Sequence, residues 1–478
     1  RLAVLSGSGS FDAAGTALDE ILDGTWGDFP ADKDVLFLLE KAVEASARAD
    51  DSLLAGEDYP RRMQELFHVM LMERRGEHAE WTKFLRHAFA NNLPWDQVAR
   101  AMLAPDSGDE NLRGAAYFLT ARLTKEGAMA AVDVPGLTRD VGRLLAGVDL
   151  GCAQCHDHPF DSWKQGEFWS FAAFFAGMQR QGQGGFLAAI SEVAERRELK
   201  IPGTDTSVGP VYLDGSKPPP GETRGARQLL ADWMITASNP YFSRAAVNRL
   251  WAHQFGIVLV DPPDDFTADN PPSHPEVLDL LATEFAGNGF DVRFILRVLC
   301  ATDAYRRTSR LTDPSQGDPR LFSRMAVKGL SPEQIFDSLA QATGYVPTAE
   351  DRQLTIPGRP NSPRNEFLEL FRDESSRPTQ QRTTILQALA LMNGSFIAEA
   401  TSLDRSRTLA AVADFPALGT ADRIEALYLA SLGRRPRPGE QTRLVAYVDG
   451  GGASKDSRQA LADVFWALLN SSESLFNH

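Results

Sequence analysis

Apolar residues recur at positions i, i+3 and i+4 along most of this chain, the spacing typical of amphipathic helices. Two of the segments also carry start signals, because Ser331-Pro332 and Ser273-His274-Pro275 place a proline at the beginning of the helical pattern. Strand-like patterns are short, and the best of them lie at 211–213 and 257–260. We therefore expect a mainly α, multi-helical protein. The predicted helices cover residues 33–47, 61–75, 79–91, 95–104, 138–147, 164–178, 184–197, 225–237, 241–255, 275–287, 291–303, 331–343, 383–392, 421–432, 438–448 and 455–473.

Proline and glycine interrupt this helical pattern in two places. Turn residues cluster between 198 and 224, and they predict a connection over 183–224 between two helical domains, residues 1–182 and 225–478. A second loop-rich stretch covers 344–380. Long irregular segments in compact proteins are more often functional than idle, so we expect this stretch to contribute to a site.

Charge and hydropathy exclude several kinds of partner. The net charge of −15 over 478 residues, without a lysine-rich stripe, argues against nucleic acid and against anionic membrane surfaces. No run of 18 apolar residues is present, so we predict no membrane-spanning segment. Because the sequence starts at Arg1 rather than Met, we expect a processed or truncated chain whose export signal has been removed.

The strongest chemical signal is Cys-Ala-Gln-Cys-His at residues 152–156. A Cys-x-x-Cys-His run is the attachment signal for a c-type haem, since two thiols three residues apart can bond both vinyl groups while the adjacent imidazole reaches the iron. Cys152 and Cys155 are then the thioether anchors of one covalent haem c, and His156 is the proximal iron ligand. Covalent haem attachment takes place outside the cytoplasm, so the motif predicts a periplasmic or extracellular protein.

Other interpretations of the same residues stay open. Cys152, Cys155, His156 and His158 would supply four zinc ligands, although a structural zinc site normally takes ligand pairs from separate segments. A redox-active Cys-x-x-Cys pair would need a thioredoxin-like βαβ context. The aromatic residues that follow have two interpretations as well. Phe160 and Trp163 are close enough in sequence to contact a haem ring, whereas the residues after Phe168 are equally consistent with a buried helix.

Several longer motifs point to a known family. The chain resembles the paired planctomycete cytochrome-like domains, an extracytoplasmic two-part architecture without a settled reaction. Residues 79–178 resemble the N-terminal member and 224–400 the C-terminal member. The resemblance implies a haem-bearing, exported protein. It is carried by Asn-Asn-Leu-Pro-Trp-Asp at 91–96, Cys-Ala-Gln-Cys-His-Asp-His-Pro-Phe-Asp at 152–161, the run 239–253, Asp264-Asp265-Phe266, Pro-Ser-His-Pro-Glu at 272–276 and Gln-Ala-Leu-Ala-Leu-Met-Asn at 387–393.

A few side chains are candidates for the distal iron ligand and for catalysis. His253 is the first candidate ligand, because its predicted helix also carries Arg249 and Trp251, which suit the propionates and the edge of a haem. His274 and Met392 are alternative ligands. We take His253, His274 and Asp265 as candidate catalytic groups for acid and base chemistry. For His274 and Asp265, a role in helix capping or simple solvation also remains open.

Three functions from different classes fit these features. The first is a haem-dependent oxidoreductase acting on an extracellular substrate, with a carbohydrate as one candidate. The second is a mono-haem electron-transfer cytochrome that serves a redox partner. The third is a haem-containing structural or binding component of an envelope complex. Homo-oligomerisation is compatible with each of the three.

Overall fold

The protein is described by a computed structural model covering residues 53–73, 76, 78–106, 108–122, 132–181, 189–346, 348, 351, 362–371 and 394–477. Packing divides the chain into two compact units, whose described parts are 53–326 and 327–477. Each unit has its own buried apolar core. The predicted mainly α fold is confirmed. None of the helices in the described part of the chain has the length and apolar character that a membrane crossing needs.

The first unit is built from helices around an aromatic core. Its α-helices are α1 Asp58–Met72, α2 Ala79–Ala90, α3 Trp95–Leu103, α4 Tyr117–Thr120, α5 Val134–Val141, α6 Gln165–Ala172, α7 Ala226–Met234, α8 Phe242–Phe255, α9 Pro275–Gly287 and α10 Val292–Ala301. Its 3₁₀ turns are Arg113–Ala116, Cys152–Gln154, Ala173–Phe175, Pro314–Gly317 and Pro319–Leu321, and Gly142–Ala146 forms a π-helical turn.

Two small hairpins complete this unit. Strands β1 Met178–Gln181 and β2 Ala189–Glu192 pair antiparallel, with Met178 opposite Glu192. Strands β3 Leu199–Lys200 and β4 Ser207–Val208 form the second antiparallel pair. Both hairpins have very few residues, so the core of the unit comes from the helices rather than from a sheet.

Local sequence explains where several helices begin. The Asp291 carboxylate accepts hydrogen bonds from the amides of Arg293 and Phe294 and so caps α10. The side chain of His78 accepts from the amide of Glu80 at the start of α2. Each cap satisfies backbone donors that the first helical turn leaves free. Helix α1 packs against α2 and α8 packs against α9, which buries aromatic side chains such as Trp81.

The second unit is also helical. The elements are β5 Lys328–Gly329, α11 Pro332–Thr343, α12 Pro363–Leu370, α13 Ser395–Ala400, α14 Arg407–Asp414, α15 Thr420–Leu432, α16 Pro438–Asp449, α17 Ser457–Leu469, α18 Ser472–Leu475 and β6 Phe476–Asn477. Strand β5 pairs antiparallel with β6. The predicted start of α11 is confirmed, because Ser331 and Gln334 form a reciprocal capping box.

Three local predictions were wrong. The described part of the predicted helix 184–197 contains β2, and the amide of Val193 bonds the carbonyl of Gly177 rather than a carbonyl one turn back. Residues 211–213 and 257–260 are not strands. At 257–260 the amides of Leu259 and Val260 donate to the side-chain oxygen of Asn248. Tertiary hydrogen bonds therefore override the local patterns in these segments.

The structure differs from the predicted loop-rich stretch and from the predicted domain limits. Helix α12 lies inside the predicted irregular stretch 344–380, and Ser362 caps it. The predicted helices at 33–47 and 383–392 lie outside the described residues. Packing separates the two units between Ala326 and Val327, whereas the sequence pattern separated them at 183–224. The limits 1–182 and 225–478 stay a prediction about independently folding segments.

Candidate functional site

The Cys-x-x-Cys-His run folds into a single 3₁₀ turn on the surface of the first unit. The turn comprises Cys152–Gln154, and the amide of Cys155 donates to the carbonyl of Cys152 over 3.4 Å. Both cysteines are free and exposed, while Ala153 between them is fully buried and anchors the turn. Side chains three residues apart in a 3₁₀ turn lie on the same side. The two thiols therefore face solvent together.

His156 follows the turn and is exposed. Its Nδ1 lies 2.8 Å from the backbone carbonyl oxygen of Asp157. A carbonyl oxygen can only accept, so this contact assigns the ring proton to Nδ1 and leaves the lone pair on Nε2. A neutral imidazole whose Nδ1–H is held by a carbonyl is the usual state of a histidine metal ligand.

Helix α6 holds the turn from beneath. The indole N–H of Trp169 donates to the carbonyl of Gln154 over 3.0 Å, and the side-chain amide of Gln165 donates to the carbonyl of Cys155 over 2.9 Å. The backbone amide of Gln165 also donates to a carboxylate oxygen of Asp157 over 3.0 Å. These three bonds satisfy polar groups on both sides of the thiols. The motif is thus fixed to a core helix rather than left on a free loop.

His158 has a local structural task that the sequence did not reveal. Its Nδ1 accepts the backbone amides of Asp161 and Phe160 at 2.9 and 3.3 Å, and its own amide donates to the carbonyl of Trp163 over 2.8 Å. These bonds close residues 158–163 into a compact turn. We name residues 152–164, which contain the Cys-x-x-Cys-His run and this turn, the motif loop. Because Nδ1 accepts, His158 carries its ring proton on Nε2.

The zinc interpretation requires four converging ligands. Among the described residues, no three His, Cys, Asp or Glu side chains lie together as a metal site would need. This statement includes Cys152, Cys155, His156 and His158, all of which are described. A haem makes a smaller demand on the protein, since two thioether anchors and one imidazole suffice on the attachment side. The residues present therefore fit a covalent haem better than a tetrahedral zinc ion.

The aromatic residues near the motif divide into two groups. Phe160 is 83% exposed at the tip of the motif loop, and Trp163 is half-buried against the core. Phe168, Phe171 and Phe174 are completely buried, with Phe171 and Phe174 in edge contact. This second group belongs to the interior of the unit. Phe160 and Trp163 are less buried than this group, and in the described part of the chain they lie close in sequence to the motif.

A second loop, residues 261–270, packs beside the motif, and we name it the acidic loop. The amide of Phe266 donates to the carbonyl of Gly147 over 3.0 Å. The side-chain amide of Asn270 donates to the carbonyls of Asp265 and Asp261 at 2.9 and 3.1 Å. The first bond ties the loop to the segment just before the motif. The other two hold the loop in one conformation.

Asp265 lies within electrostatic range of charged groups before and inside the motif loop. Burial raises the pKa of this partly buried carboxyl, and the nearby carboxylates Asp149, Asp161 and Asp264 raise it further. The nearby His158 lowers the pKa of Asp265. Asp149 precedes the motif, while His158 and Asp161 follow it. The predicted catalytic residue Asp265 is thus within electrostatic range of both ends of the motif.

Gly147 is required for this arrangement. Its φ is +71°, and a Cβ atom there would lie 2.6 Å from Cδ2 of Phe266. We expect Gly147→Ala to lower the free energy of unfolding by about 1–2 kcal/mol through backbone strain and by roughly 1–3 kcal/mol more through the displaced ring. Gly215→Ala is the matched control, because its φ is +81° with nothing within 4 Å. Equal losses in urea unfolding would contradict the close contact.

Arg143 connects the acidic loop to the core, and nothing in the sequence singled it out. Its Nη1 lies 2.5 Å from Oε1 of Glu73 and 3.2 Å from Oδ2 of Asp264. Its Nη2 lies 3.5 Å from Oδ1 of Asp140, and its carbonyl accepts from Nη2 of Arg249 over 2.9 Å. The three carboxylates hold the pKa of Arg143 above its usual range against the effect of burial. Arg143 therefore stays a cation at the centre of this cluster.

Arg249, a predicted cofactor-binding residue, is part of the same cluster. Burial lowers its pKa to about 10. Its Nε is buried without a hydrogen-bond partner among the described residues. A cation that is short of acceptors favours an additional anion nearby. The buried Nε belongs to the cluster around Arg143, so the predicted cofactor-binding role of Arg249 stays a prediction.

Trp251 and His274 lie in a different cluster. The indole of Trp251 stacks on Phe255 with ring centroids 4.0 Å apart and meets the edge of Phe322 at 5.0 Å. The ring of His274 lies 5.6 Å from that of Phe322, and its Nδ1 is 3.2 Å from Oγ of Ser273. These contacts group Trp251 and His274 around Phe322. None of these contacts reaches the motif loop.

The remaining ligand candidates are placed less specifically. His253 is partly exposed in the last turn of α8, where a cation complements the helix dipole. Met392 lies outside the described residues. The identity of a distal iron ligand thus stays a prediction for both residues and for His274.

Comparisons with known proteins identify two domain families. A family model described as PSCyt2, a protein of unknown function (DUF1549), matches residues 25–180. A family model described as PSD1, a protein of unknown function (DUF1553), matches residues 226–448. No curated protein matches the chain, and no solved structure matches it. The chain therefore contains a PSCyt2 domain followed by a PSD1 domain, paired as in planctomycete cytochrome-like proteins.

Proposed function

We propose that this protein is an extracytoplasmic c-type haem protein that acts as a haem-dependent oxidoreductase on an extracellular substrate. The observation that supports it most directly is the exposed 3₁₀ turn with Cys152 and Cys155 on one side and the free Nε2 of His156 next to them. Two adjacent thiols and a correctly protonated imidazole are what covalent haem attachment requires. The cysteines would hold the haem through thioether bonds, and His156 would ligate its iron.

A bound haem supplies one-electron oxidation and reduction. The protein must then manage the charge that each electron brings. His156 is held in one tautomer by the carbonyl of Asp157, which fixes the nitrogen offered to the iron. Gln165 and Trp169 keep the backbone of the motif loop in place when the local charge changes.

Asp265 is the group that we assign to proton transfer. It is partly buried, its pKa is raised by burial and by three neighbouring carboxylates, and it lies within electrostatic range of the motif loop. A carboxyl with a raised pKa can exchange its proton closer to neutral pH than an ordinary aspartate. Asp265 would take up a proton when an electron arrives and release it when the electron leaves. This coupling limits the build-up of charge beside the substrate.

One observation favours a second candidate, an electron-transfer cytochrome. The exposed residues Asp149 and Asp157 and the partly exposed Asp161 surround the motif with negative charge. Such a surface would steer a basic redox partner towards an exposed haem edge. The two candidates differ in the sixth position of the iron. A ferric high-spin spectrum indicates a position that a substrate can occupy, and a low-spin spectrum indicates two strong protein ligands.

The test uses the chain produced in a host that exports it and attaches c-type haem. We expect one haem per chain that survives denaturing electrophoresis and acid–acetone extraction, together with a high-spin ferric spectrum. Protein that is folded and exported but carries no covalent haem would overturn the proposal. Covalent haem with a low-spin, ligand-insensitive spectrum would replace the oxidoreductase by the electron carrier.

A further inference from the structure

We infer that Arg143 is a positioning residue that holds the acidic loop, and with it Asp265, against the motif loop. The inference rests on the proposed function only in giving Asp265 a proton-transfer role. The positioning itself is a property of this chain's own residues. Arg143 is neither in the Cys-x-x-Cys-His run nor in the acidic loop, so its role follows from geometry alone.

The first step is the anchoring of Arg143 itself. Asp140, one of its three carboxylate partners, is buried and also pairs with Nε of Arg122 over 2.7 Å. The guanidinium of Arg122 in turn donates to the carbonyls of Phe118 and Leu71 at 2.6 and 2.8 Å. Asp140 is therefore fixed within the core. Charge-assisted bonds of this kind are the stronger hydrogen bonds of a protein interior.

The second step is the link from Arg143 to the loop. The Nη1 of Arg143 is shared between Glu73, at the end of α1, and Asp264 of the acidic loop. Asp264 directly precedes Asp265, so the bond fixes the backbone next to the proton-transfer group. Arg143 also lies in the π-helical turn Gly142–Ala146, which ends at Gly147, where Phe266 is seated. π-helical turns are frequently found at functional sites.

The third step is the consequence for the charge around Asp265. The groups facing it are Asp149, Asp161 and Asp264 with negative charge, and His158. In addition, the side-chain amide of Asn270 lies 3.4 Å from Oδ2 of Asp265. Asp149 and Asp161 lie outside the acidic loop, and their like charge would repel a loop that carries both Asp264 and Asp265. Arg143 neutralises Asp264 directly and so opposes this repulsion.

The test compares Arg143→Gln with Arg227→Gln in the full-length, haem-loaded protein. Arg227 is the matched control because it is another buried arginine of the same unit. Its Nε lies 3.1 Å from Oε2 of Glu192, which is not part of the acidic loop. Hydrogen–deuterium exchange is measured on the peptide that covers residues 261–270. We expect Arg143→Gln to speed exchange of the Phe266 amide on the order of tenfold relative to the control. A change of this size corresponds to the loss of about one charge-assisted hydrogen bond.

A second readout follows the carboxyl of Asp265 by carbon NMR. Because burial is the largest cause of its raised pKa, release of the loop should lower that pKa towards the ordinary aspartate value in Arg143→Gln and not in Arg227→Gln. Arg143→Lys, which keeps the charge, should restore part of the shift. Exchange and titration equal to those of the control would overturn the inference.

Two further arms keep the outcome interpretable. If Arg143→Gln fails to fold, Asp264→Ala removes only the bond between Arg143 and the loop and leaves Glu73 and Asp140 paired with Arg143. It should loosen the same peptide, and unchanged exchange would again overturn the inference. If no haem is attached, the proposed function fails, whereas exchange in the haem-free chain still decides the role of Arg143.

Discussion

Replacing both Cys152 and Cys155 by serine is expected to remove all haem that survives denaturation. In the proposed attachment the thioether bonds would form at these two exposed sulfurs, and serine hydroxyls cannot replace them in addition to a vinyl group. Folding should be little affected, since both side chains face solvent and the buried anchor of the turn is Ala153. The measurement is a haem stain after denaturing electrophoresis, together with circular dichroism for the fold.

Cys300→Ser is the matched control for this experiment. Cys300 is partly buried in α10, far along the chain from the motif, and takes no part in attachment. It should keep the full haem content. The single variants Cys152→Ser and Cys155→Ser should each retain one thioether bond and therefore some covalent haem. Covalent haem in the double variant, or its loss in Cys300→Ser, would show that the motif is not the attachment point.

Asp265→Asn is expected to flatten the pH dependence of the haem reduction potential. In the proposed haem-loaded protein, an added electron would raise the proton affinity of Asp265 further, so that reduction and proton uptake would be coupled. One proton per electron gives a slope of about −59 mV per pH unit at most. Asparagine cannot take up the proton. The Asp265→Asn variant should therefore lose the part of the pH dependence of the reduction potential that Asp265 contributes.

The control for Asp265→Asn is Asp157→Asn. Asp157 is exposed, and the backbone amide of Gln165 holds its pKa below the usual range, so it is ionised throughout the relevant pH window. Its removal should shift the potential by a constant amount and leave the slope unchanged. Haem propionates titrate in all three proteins and cancel in the comparison. A slope in Asp265→Asn equal to that of the wild type would remove Asp265 from the proton-transfer role.

The same raised pKa has a consequence for stability. A carboxyl whose folded-state pKa lies above its unfolded value binds more protons in the folded state between the two values. Stability contributed by protonated Asp265 is therefore fully present below the unfolded pKa and is lost as pH rises through the folded pKa. Asp265→Asn should lack this loss, which urea unfolding at several pH values would measure.

Much of the helical framework could be predicted from periodicity. The predicted segments 95–104, 275–287 and 438–448 agree closely with helices Trp95–Leu103, Pro275–Gly287 and Pro438–Asp449. Helix ends carry their own signals in capping residues and proline, which act within a few positions. The prediction was wrong at 189–197, where apolar spacing suggested a helix but the backbone bonds to a neighbouring strand. Short segments follow their tertiary partners more than their own pattern.

The residues of the candidate site also divide into those with a local sequence signal and those placed only by tertiary packing. The sequence alone singled out Cys152, Cys155 and His156, because the chemistry of attachment requires two cysteines and a histidine within five positions. It also named Asp265, without a reason to place that carboxyl beside the motif. It did not identify Arg143, whose partners Glu73 and Asp264 lie far apart in the chain. A pairing between distant residues leaves no spacing pattern to detect.

The sequence by itself determined the mainly helical fold, the Cys-x-x-Cys-His run and the acidic character of the chain, since each depends on residues that are neighbours in the chain or on composition. Only the tertiary structure decided that His158 forms a turn within the motif loop, that Trp251 and His274 pack near Phe322, and that Asp265 lies within electrostatic range of the motif. Those features depend on which surfaces pack together. Packing is set by the burial of apolar area across many distant segments, and no local pattern records it.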